Sequence, residues 1–487
     1  MTGGSGLGRA ASRGVIFTMG GQAVRILVQL LSVVILSRLL APSDFGLVAM
    51  VLAIVGVAEV FRDFGLTQAA VQAPSLSHQQ KSNLFWINTG IGVLLALLAF
   101  GASWPIAMFY GEERLTLLTQ VISVVFVING VGTQLRAQLS RDLKFGVISA
   151  ADTLAPALSL LAAIGAASMG VGYWALAVQQ ISGAFFAFVV VAVAARWTPS
   201  RYRRGHDMRG FLRFGGFLVL AQLVTYASKN IDSVVIGARL GATELGLYNR
   251  AFQILLVPLN QINAPATRVA LPVLSRLQEE KNRFDRYLLT AQSILLQPVV
   301  AGFALVAALA EPLISLILGE GWGATVPIFQ ILALAGVAQT ASSASYWVFL
   351  ARGRTKSQLY WALCSRPIII GAVIVGSFFG LHGVAWGYAL GNLVVWPLGL
   401  LWVAKLAEAP ALRMFGNGVR AMLIYGLAGL SAHLVYVGLG GVMLSFVAAV
   451  LAFLAIVALA AVVLPRYRAD LGALVSLLPA RFRRGRS

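Results

Sequence analysis

Four cations of this 487-residue chain sit where cations are rare: Arg25, Lys229, Arg250 and Arg366 each interrupt a long apolar stretch. A charge at the centre of a bilayer-spanning helix costs about 2.5–3.5 kcal/mol on insertion scales, so it faces protein or water and marks a candidate site. Arg25 shares one helix face with Thr18, Gln22, Gln29 and Ser32, spaced by alternating steps of four and three. Lys229 and Asp232 share a second face with Gln222 and Thr225. Arg250 stands one turn before Gln253, with Asn260 and Gln261 deeper, and Arg366 directly precedes Pro367. Arginine offers a planar fork of donors that matches phosphate or carboxylate, so an excess of such cations points to an anionic ligand. Gln22, Gln29 and the four cations are therefore the candidate binding residues, and Asp232 is the candidate counter-ion and protonation site.

Each of these has a plainer reading. Lys229 and Asp232 are three residues apart, within reach of a packing ion pair on one helix face. Arg25 and Arg366 are equally well read as buried guanidiniums bonded to backbone carbonyls. Arg250, near a span end, is placed to snorkel toward headgroups. Other residues carry less chemistry. Cys364 is the only cysteine, which rules out an intramolecular disulfide, and His78, His206, His382 and His433 lack metal-ligand spacing. No cofactor or metal is expected. Trp86, Trp174, Trp322 and Tyr436 lie near span ends, where an interfacial belt is the first reading.

The elements that must position these residues follow from composition. The chain is 59% hydrophobic and only 11% charged, whereas a soluble domain carries about 25% charged residues. Lipid is the implied solvent. Fourteen stretches approach the roughly 20 apolar residues that a span requires: about 14–38, 45–64, 84–109, 115–135, 146–168, 171–194, 211–238, 244–265, 287–310, 325–350, 357–379, 382–404, 418–439 and 442–464. The first is too long for a signal-peptide core and reads as a retained helix. With the N-terminus inside, 30 of the 37 Lys and Arg fall in cytoplasmic segments, as the positive-inside rule demands. The net charge of +20 is thus topology plus attraction to lipid headgroups, not a nucleic-acid footprint. Both termini are expected in the cytoplasm of a bacterial inner-membrane protein. Residues 66–82 and 267–286 read as amphipathic linkers on that surface. The longest outward loop, about 311–325, is too short for a folded external domain, which weighs against a glycan polymerase or ligase.

An internal repeat runs through the spans. Val33 to Ala41 matches Val234 to Ala242, and Asp44-Phe45-Gly46-Leu47 matches Glu244-Leu245-Gly246-Leu247. Gly111-Glu112 matches Gly319-Glu320, Arg141 matches Arg352 and Pro156 matches Pro367. Six spans thus correspond to the next six, and an even number makes the repeats parallel, with a site expected between them. The expected fold is an all-α polytopic membrane protein. Its parts are a lobe over 1–200, a second lobe over 201–410, and two accessory helices with a basic tail over 411–487. Arg25 aligns with Tyr226, Lys229 with Val28, Arg250 with Met50 and Arg366 with Ala155. The charges break the repeat, which is what ligand chemistry rather than framework would do.

Two segments carry a resemblance. Arg38-Leu39-Leu40-Ala41-Pro42-Ser43-Asp44-Phe45-Gly46-Leu47 resembles the first signature of the polysaccharide transporter family. Gly246-Leu247-Tyr248-Asn249-Arg250-Ala251, with Pro258 and the segment Leu271 to Arg276, is similar to its second. That family includes Wzx-type O-antigen and exopolysaccharide flippases of the multidrug/oligosaccharidyl-lipid/polysaccharide superfamily. The resemblance implies V-shaped six-helix lobes, alternating access, and a polyprenyl-pyrophosphate-linked oligosaccharide as cargo, with polysaccharide polymerase and export machinery as partners. A lipid II flippase and a cation-coupled drug antiporter of the same superfamily are the alternatives within transport; the cation excess disfavours the antiporter. From other classes stand a membrane-embedded glycosyltransferase or ligase and a scaffold for envelope assembly.

Overall fold

The computed structural model describes residues 4–62, 77–203, 223, 226, 229–440 and 443–475. Several residues singled out above lie outside that set: the side chains of Thr18, Pro258 and Asn260, residues Gln222 and Thr225, the linker over 66–76, the start of the seventh span over 211–222, and the basic tail after 475.

Every long element is a helix, because in a bilayer only a helix satisfies its own backbone polar groups within one segment. In chain order they are α1 Gly4–Leu39, α2 Pro42–Arg62, α3 His78–Tyr110, α4 Arg114–Arg141, α5 Phe145–Ser168 and α6 Trp174–Ala195. Helix α7 covers 229–240. There follow α8 Ala242–Arg276, α9 Lys281–Ala308, the short α10 Ala310–Leu318, α11 Thr325–Ala351, α12 Thr355–Gly376 and α13 Gly380–Ala407. The last are α14 Ala411–Gly438, α15 Met443–Val463 and α16 Pro465–Val475. Among the described residues 11 stretches are long and apolar enough to cross a membrane. One of them, Thr355–Ala407, is two helices, α12 and α13, separated by a 3-10 turn at Ser377–Phe379.

The helix starts are written locally. Pro42 opens α2, where its missing N–H costs nothing and its fixed φ suits the first turn. Asp44 accepts a hydrogen bond from the Ala41 N–H at 2.9 Å and places a negative charge at the positive helix end. Ser77 and Gln80 form a reciprocal capping box at α3: the Ser77 hydroxyl accepts from the Gln80 N–H at 3.1 Å, and the Gln80 side chain accepts from the Ser77 N–H at 3.0 Å.

Packing divides the chain into two compact units, Met1–Gly246 with Ile317–Gly321, and Leu247–Leu316 with Trp322–Ser487. In the first, α1 packs on α5, α3 on α4, α5 on α6 and α4 on α6, while α2 lies against α3 and α4. In the second, α9 packs on α11, α12 on α13 and α11 on α13, with α14 against α9 and α15. The first turn of α8 belongs to the first unit and meets the start of α2 with backbone against backbone. A Cβ on Gly46 would stand 2.5 Å from the Ala242 carbonyl carbon, and one on Gly246 would stand 2.7 Å from that of Pro42. Each glycine therefore seats the other helix's first turn, which any side chain would push away.

Two expectations change. Residues 267–276 do not form a separate surface linker but continue α8, whose 35 residues span about 52 Å at 1.5 Å per residue, beyond the ~30 Å hydrocarbon core. The Trp347 indole donates to the Thr267 hydroxyl at 2.9 Å, tying this extension to α11. Trp322 is no belt residue: it is 1% exposed, at the end of the 3-10 turn Glu320–Trp322 that follows α10. Trp86 is exposed and donates to the Ser200 carbonyl at 2.8 Å.

Candidate functional site

The first unit contains a cavity of about 430 Å³ among α1, α2, α4, α5 and α6. Arg25 of α1 is one of its walls, with Glu59 of α2, Asn129 of α4, Asp152 and Ser159 of α5, and Gln179 and Gln180 of α6. Small residues (Ala151, Ala155, Gly183, Ala184 and Ala187) leave the space that these polar groups enclose. Asp152 is held by Arg136 through two bonds of 2.7 Å from one guanidinium nitrogen. Gln179 donates to Ser32 at 2.9 Å, so the polar face of α1 that carries Arg25 also anchors α1 to α6. Pro156, inside α5, has no N–H to offer the Asp152 carbonyl one turn earlier, and both residues line the cavity.

The other predicted residues lie as follows. Arg25, Gln22 and Gln29 are all exposed along α1. Lys229 is exposed at the described start of α7, while Asp232 is buried. One Asp232 carboxylate oxygen accepts from the Ser233 N–H at 2.8 Å. Arg250 does not snorkel: it is 9% exposed and donates to Gln253 at 2.5 Å. Beside it in sequence, Tyr248 stacks on Phe252, Phe252 meets Tyr388 edge to face, and the Gln339 amide donates to the Tyr388 hydroxyl at 2.9 Å. Arg366 is exposed on α12. The structure thus supplies a polar cavity around one predicted cation, Arg25. It places Lys229 and Asp232 in the same unit, and Arg250 and Arg366 in the other.

Sequence reasoning passed over most of the cavity. Glu59 and Asp152 are carboxylates near span ends, and Asn129, Ser159 and Gln180 are single polar residues in separate spans. Their signal is polarity inside apolar stretches, and only the fold shows that they share one space.

With 11 apolar stretches long enough to cross a bilayer among the described residues, this is a multi-pass helical membrane protein. The pattern of the family described as polysaccharide biosynthesis protein matches residues 35–327, and the chain belongs to that family. It is 29% identical over 396 residues to the teichuronic acid biosynthesis protein TuaB of Bacillus subtilis (strain 168), covering 77% of this chain and 78% of that one. It is 26% identical to the lipopolysaccharide biosynthesis protein WzxC of Escherichia coli (strain K12), covering 75% of each. It is 24% identical to the succinoglycan biosynthesis transport protein ExoT of Rhizobium meliloti (strain 1021), covering 78% and 76%. Among solved structures the fold is similar to that of the lipid II flippase MurJ in an inward closed conformation. The TM-score is 0.68 at 14% identity, over 92% of this chain and 99% of that one.

Proposed function

We propose that this protein flips a polyprenyl-pyrophosphate-linked oligosaccharide, the repeat unit of a surface polysaccharide, from the inner to the outer leaflet of the bacterial inner membrane. One observation carries the reading. Three relatives covering about three quarters of the chain are named for three different polymers, teichuronic acid, lipopolysaccharide and succinoglycan. What such proteins share is the handling of a common carrier, while the sugar varies. The work is transport rather than catalysis, and the polymerase and export machinery that consume the flipped unit are the partners.

The mechanism we assign is alternating access between two parallel six-span repeats, with two further spans at the C-terminal end and both termini in the cytoplasm. Several observations support it. The pairings α3 on α4, α5 on α6 and α4 on α6 have counterparts of the same order in α9 on α11, α12 on α13 and α11 on α13. Gly46 and Gly246, matched by the sequence repeat, meet each other's helix starts reciprocally. The repeats divide at about residue 200, whereas packing groups residues up to Gly246 with the first unit.

The cations Arg25, Lys229, Arg250 and Arg366 are assigned to the anionic part of the cargo, with Gln22 and Gln29 extending the polar face of α1 and Asp232 as counter-ion and proton site. Deletion of the gene is expected to accumulate lipid-linked repeat units in the inner leaflet and to abolish surface polymer, with wild-type chain restoring both. An unchanged lipid-linked pool and unchanged polymer would overturn the reading. Arg25→Ala and Lys229→Ala are expected to cut export at normal expression, and export indifferent to an uncoupler would remove the proposed role of Asp232. A second reading, flipping of lipid II, is favoured by the likeness to MurJ over nearly the whole chain. Growth of a lipid II flippase-depleted strain rescued by this chain would select it.

A further inference from the structure

The cavity of the first unit has the wrong chemistry for pyrophosphate. An anion wants donors alone, yet the lining that includes Arg25 also carries two carboxylates, Glu59 and Asp152, the latter paired with Arg136. A polyprenyl chain or a lipophilic cation wants walls that are apolar throughout, whereas here Val125, Pro156 and four alanines are interrupted by charged and amide side chains, with no aromatic one among the described residues. What the walls do offer is a mixture of donors and acceptors on different helices. The side-chain amides of Asn129 and Gln180 each present an N–H donor group and a carbonyl acceptor, and neither bonds another described residue. Pro156 has no N–H to give the Asp152 carbonyl, so α5 lacks that one intrahelical bond beside the cavity. A sugar hydroxyl both donates and accepts, so a ring of such groups matches vicinal hydroxyls and matches no other part of a lipid-linked saccharide as well. The volume, about 430 Å³, lies toward the lower end of the roughly 300–1,000 Å³ of small-molecule sites. It suits one or two sugar rings rather than a whole repeat unit.

We infer that this cavity is a saccharide subsite, which holds the first sugar residues of the cargo by their hydroxyls and places Arg25 at the boundary between sugar and anion. The inference rests on the flippase reading for the word cargo; the binding itself does not. Asn129 and Gln180 are then the specificity-determining residues, and changes at these positions alter which sugars are accepted without disturbing recognition of the carrier.

The test uses the full chain in lipid nanodiscs and saturation-transfer difference NMR, which reads weak binding. The probes are D-glucose, D-galactose, N-acetyl-D-glucosamine and D-glucuronate, each challenged with inorganic pyrophosphate. At least one sugar is expected to give ring-proton signals that pyrophosphate does not displace. Asn129→Ala and Gln180→Ala are each expected to weaken them roughly fivefold, the value of one hydrogen bond. Should Asn129→Ala prove unstable, Gln180→Glu, at an exposed position, replaces the amide donor without loss of packing and must still lower binding. No signal from any of the four sugars, signals unchanged in the variants, or displacement by pyrophosphate would each overturn the subsite. Export in a deletion strain, measured beside it, judges the flippase reading separately: wild-type export without saccharide binding removes the subsite alone, and saccharide binding without export leaves the subsite standing.

Discussion

A single methyl group at Gly46 tests whether the reciprocal contact between α2 and α8 holds the first unit together. In Gly46→Ala the new Cβ would stand 2.5 Å from the Ala242 carbonyl carbon and 2.9 Å from its Cα. The Ala242 carbonyl oxygen is nearer still, and ordinary contact begins at 3.4 Å, so the helix starts must part by more than 0.9 Å. The obstructing atoms are backbone, and no rotamer change relieves them. Overpacking of this kind costs about 1–3 kcal/mol, which at about 2–4 °C per kcal/mol lowers the melting temperature by roughly 2–12 °C. Gly246→Ala, with its Cβ 2.7 Å from the Pro42 carbonyl carbon, should behave alike. The double variant should lose less than the sum, since both methyls open one interface. The assay is thermal unfolding in detergent followed by intrinsic fluorescence. Gly426→Ala is the control, because it lies in a helix with open space around it; there the same change removes a helix-interior glycine and should be neutral or stabilising by about 0.5–1 kcal/mol. A Gly46→Ala protein that melts with the wild type or with this control would refute the argument.

Further outcomes follow from particular contacts. Ser77→Ala removes the capping box of α3 and should cost about 1 kcal/mol, read as a fall in melting temperature that Ser77→Thr largely restores. Tyr467 is fully buried and donates to the Tyr425 hydroxyl at 2.9 Å, while Arg420 pairs with Asp470 at 2.5 Å. Tyr467→Ala, a large-to-small change at a buried site, should therefore cost about 3–5 kcal/mol and Asp470→Asn about 1–3 kcal/mol, and both should raise hydrogen exchange over 465–475 before any other helix. The bidentate bond from Arg114 holds the Glu112 carboxyl below its ordinary range. A depressed carboxylate stabilises the fold above its unfolded pKa and ceases to do so as pH falls through its folded pKa. Glu112→Gln should therefore lower stability by less than about 1 kcal/mol at neutral pH, since the pair is solvent-screened, with the difference vanishing in acid.

The α2 start shows how much local sequence determines. Pro42 fixes a first-turn φ, Asp44 supplies the acceptor for the Ala41 N–H, and both act within four residues, so the segment announces its helix without help from the rest of the chain. Apolar length did the same for the spans, because a bilayer leaves a backbone few alternatives to a helix. Gly46 is different. Its sequence says only that a side chain is missing; that the space belongs to Ala242, and that Gly246 returns the favour to Pro42, is a fact of packing between segments 200 residues apart. The site divides the same way. Arg25 was legible because a charge in an apolar run is costly wherever it sits. Arg250 was legible for the same reason, but whether it reached for headgroups or for Gln253 was decided by the burial of α8. Asn129, Asp152 and Gln180 carry no periodic signal, since each is one polar group on its own helix. The cavity they share exists only because α1, α2, α4, α5 and α6 pack with small residues between them, and a gap between helices has no residue of its own in the sequence.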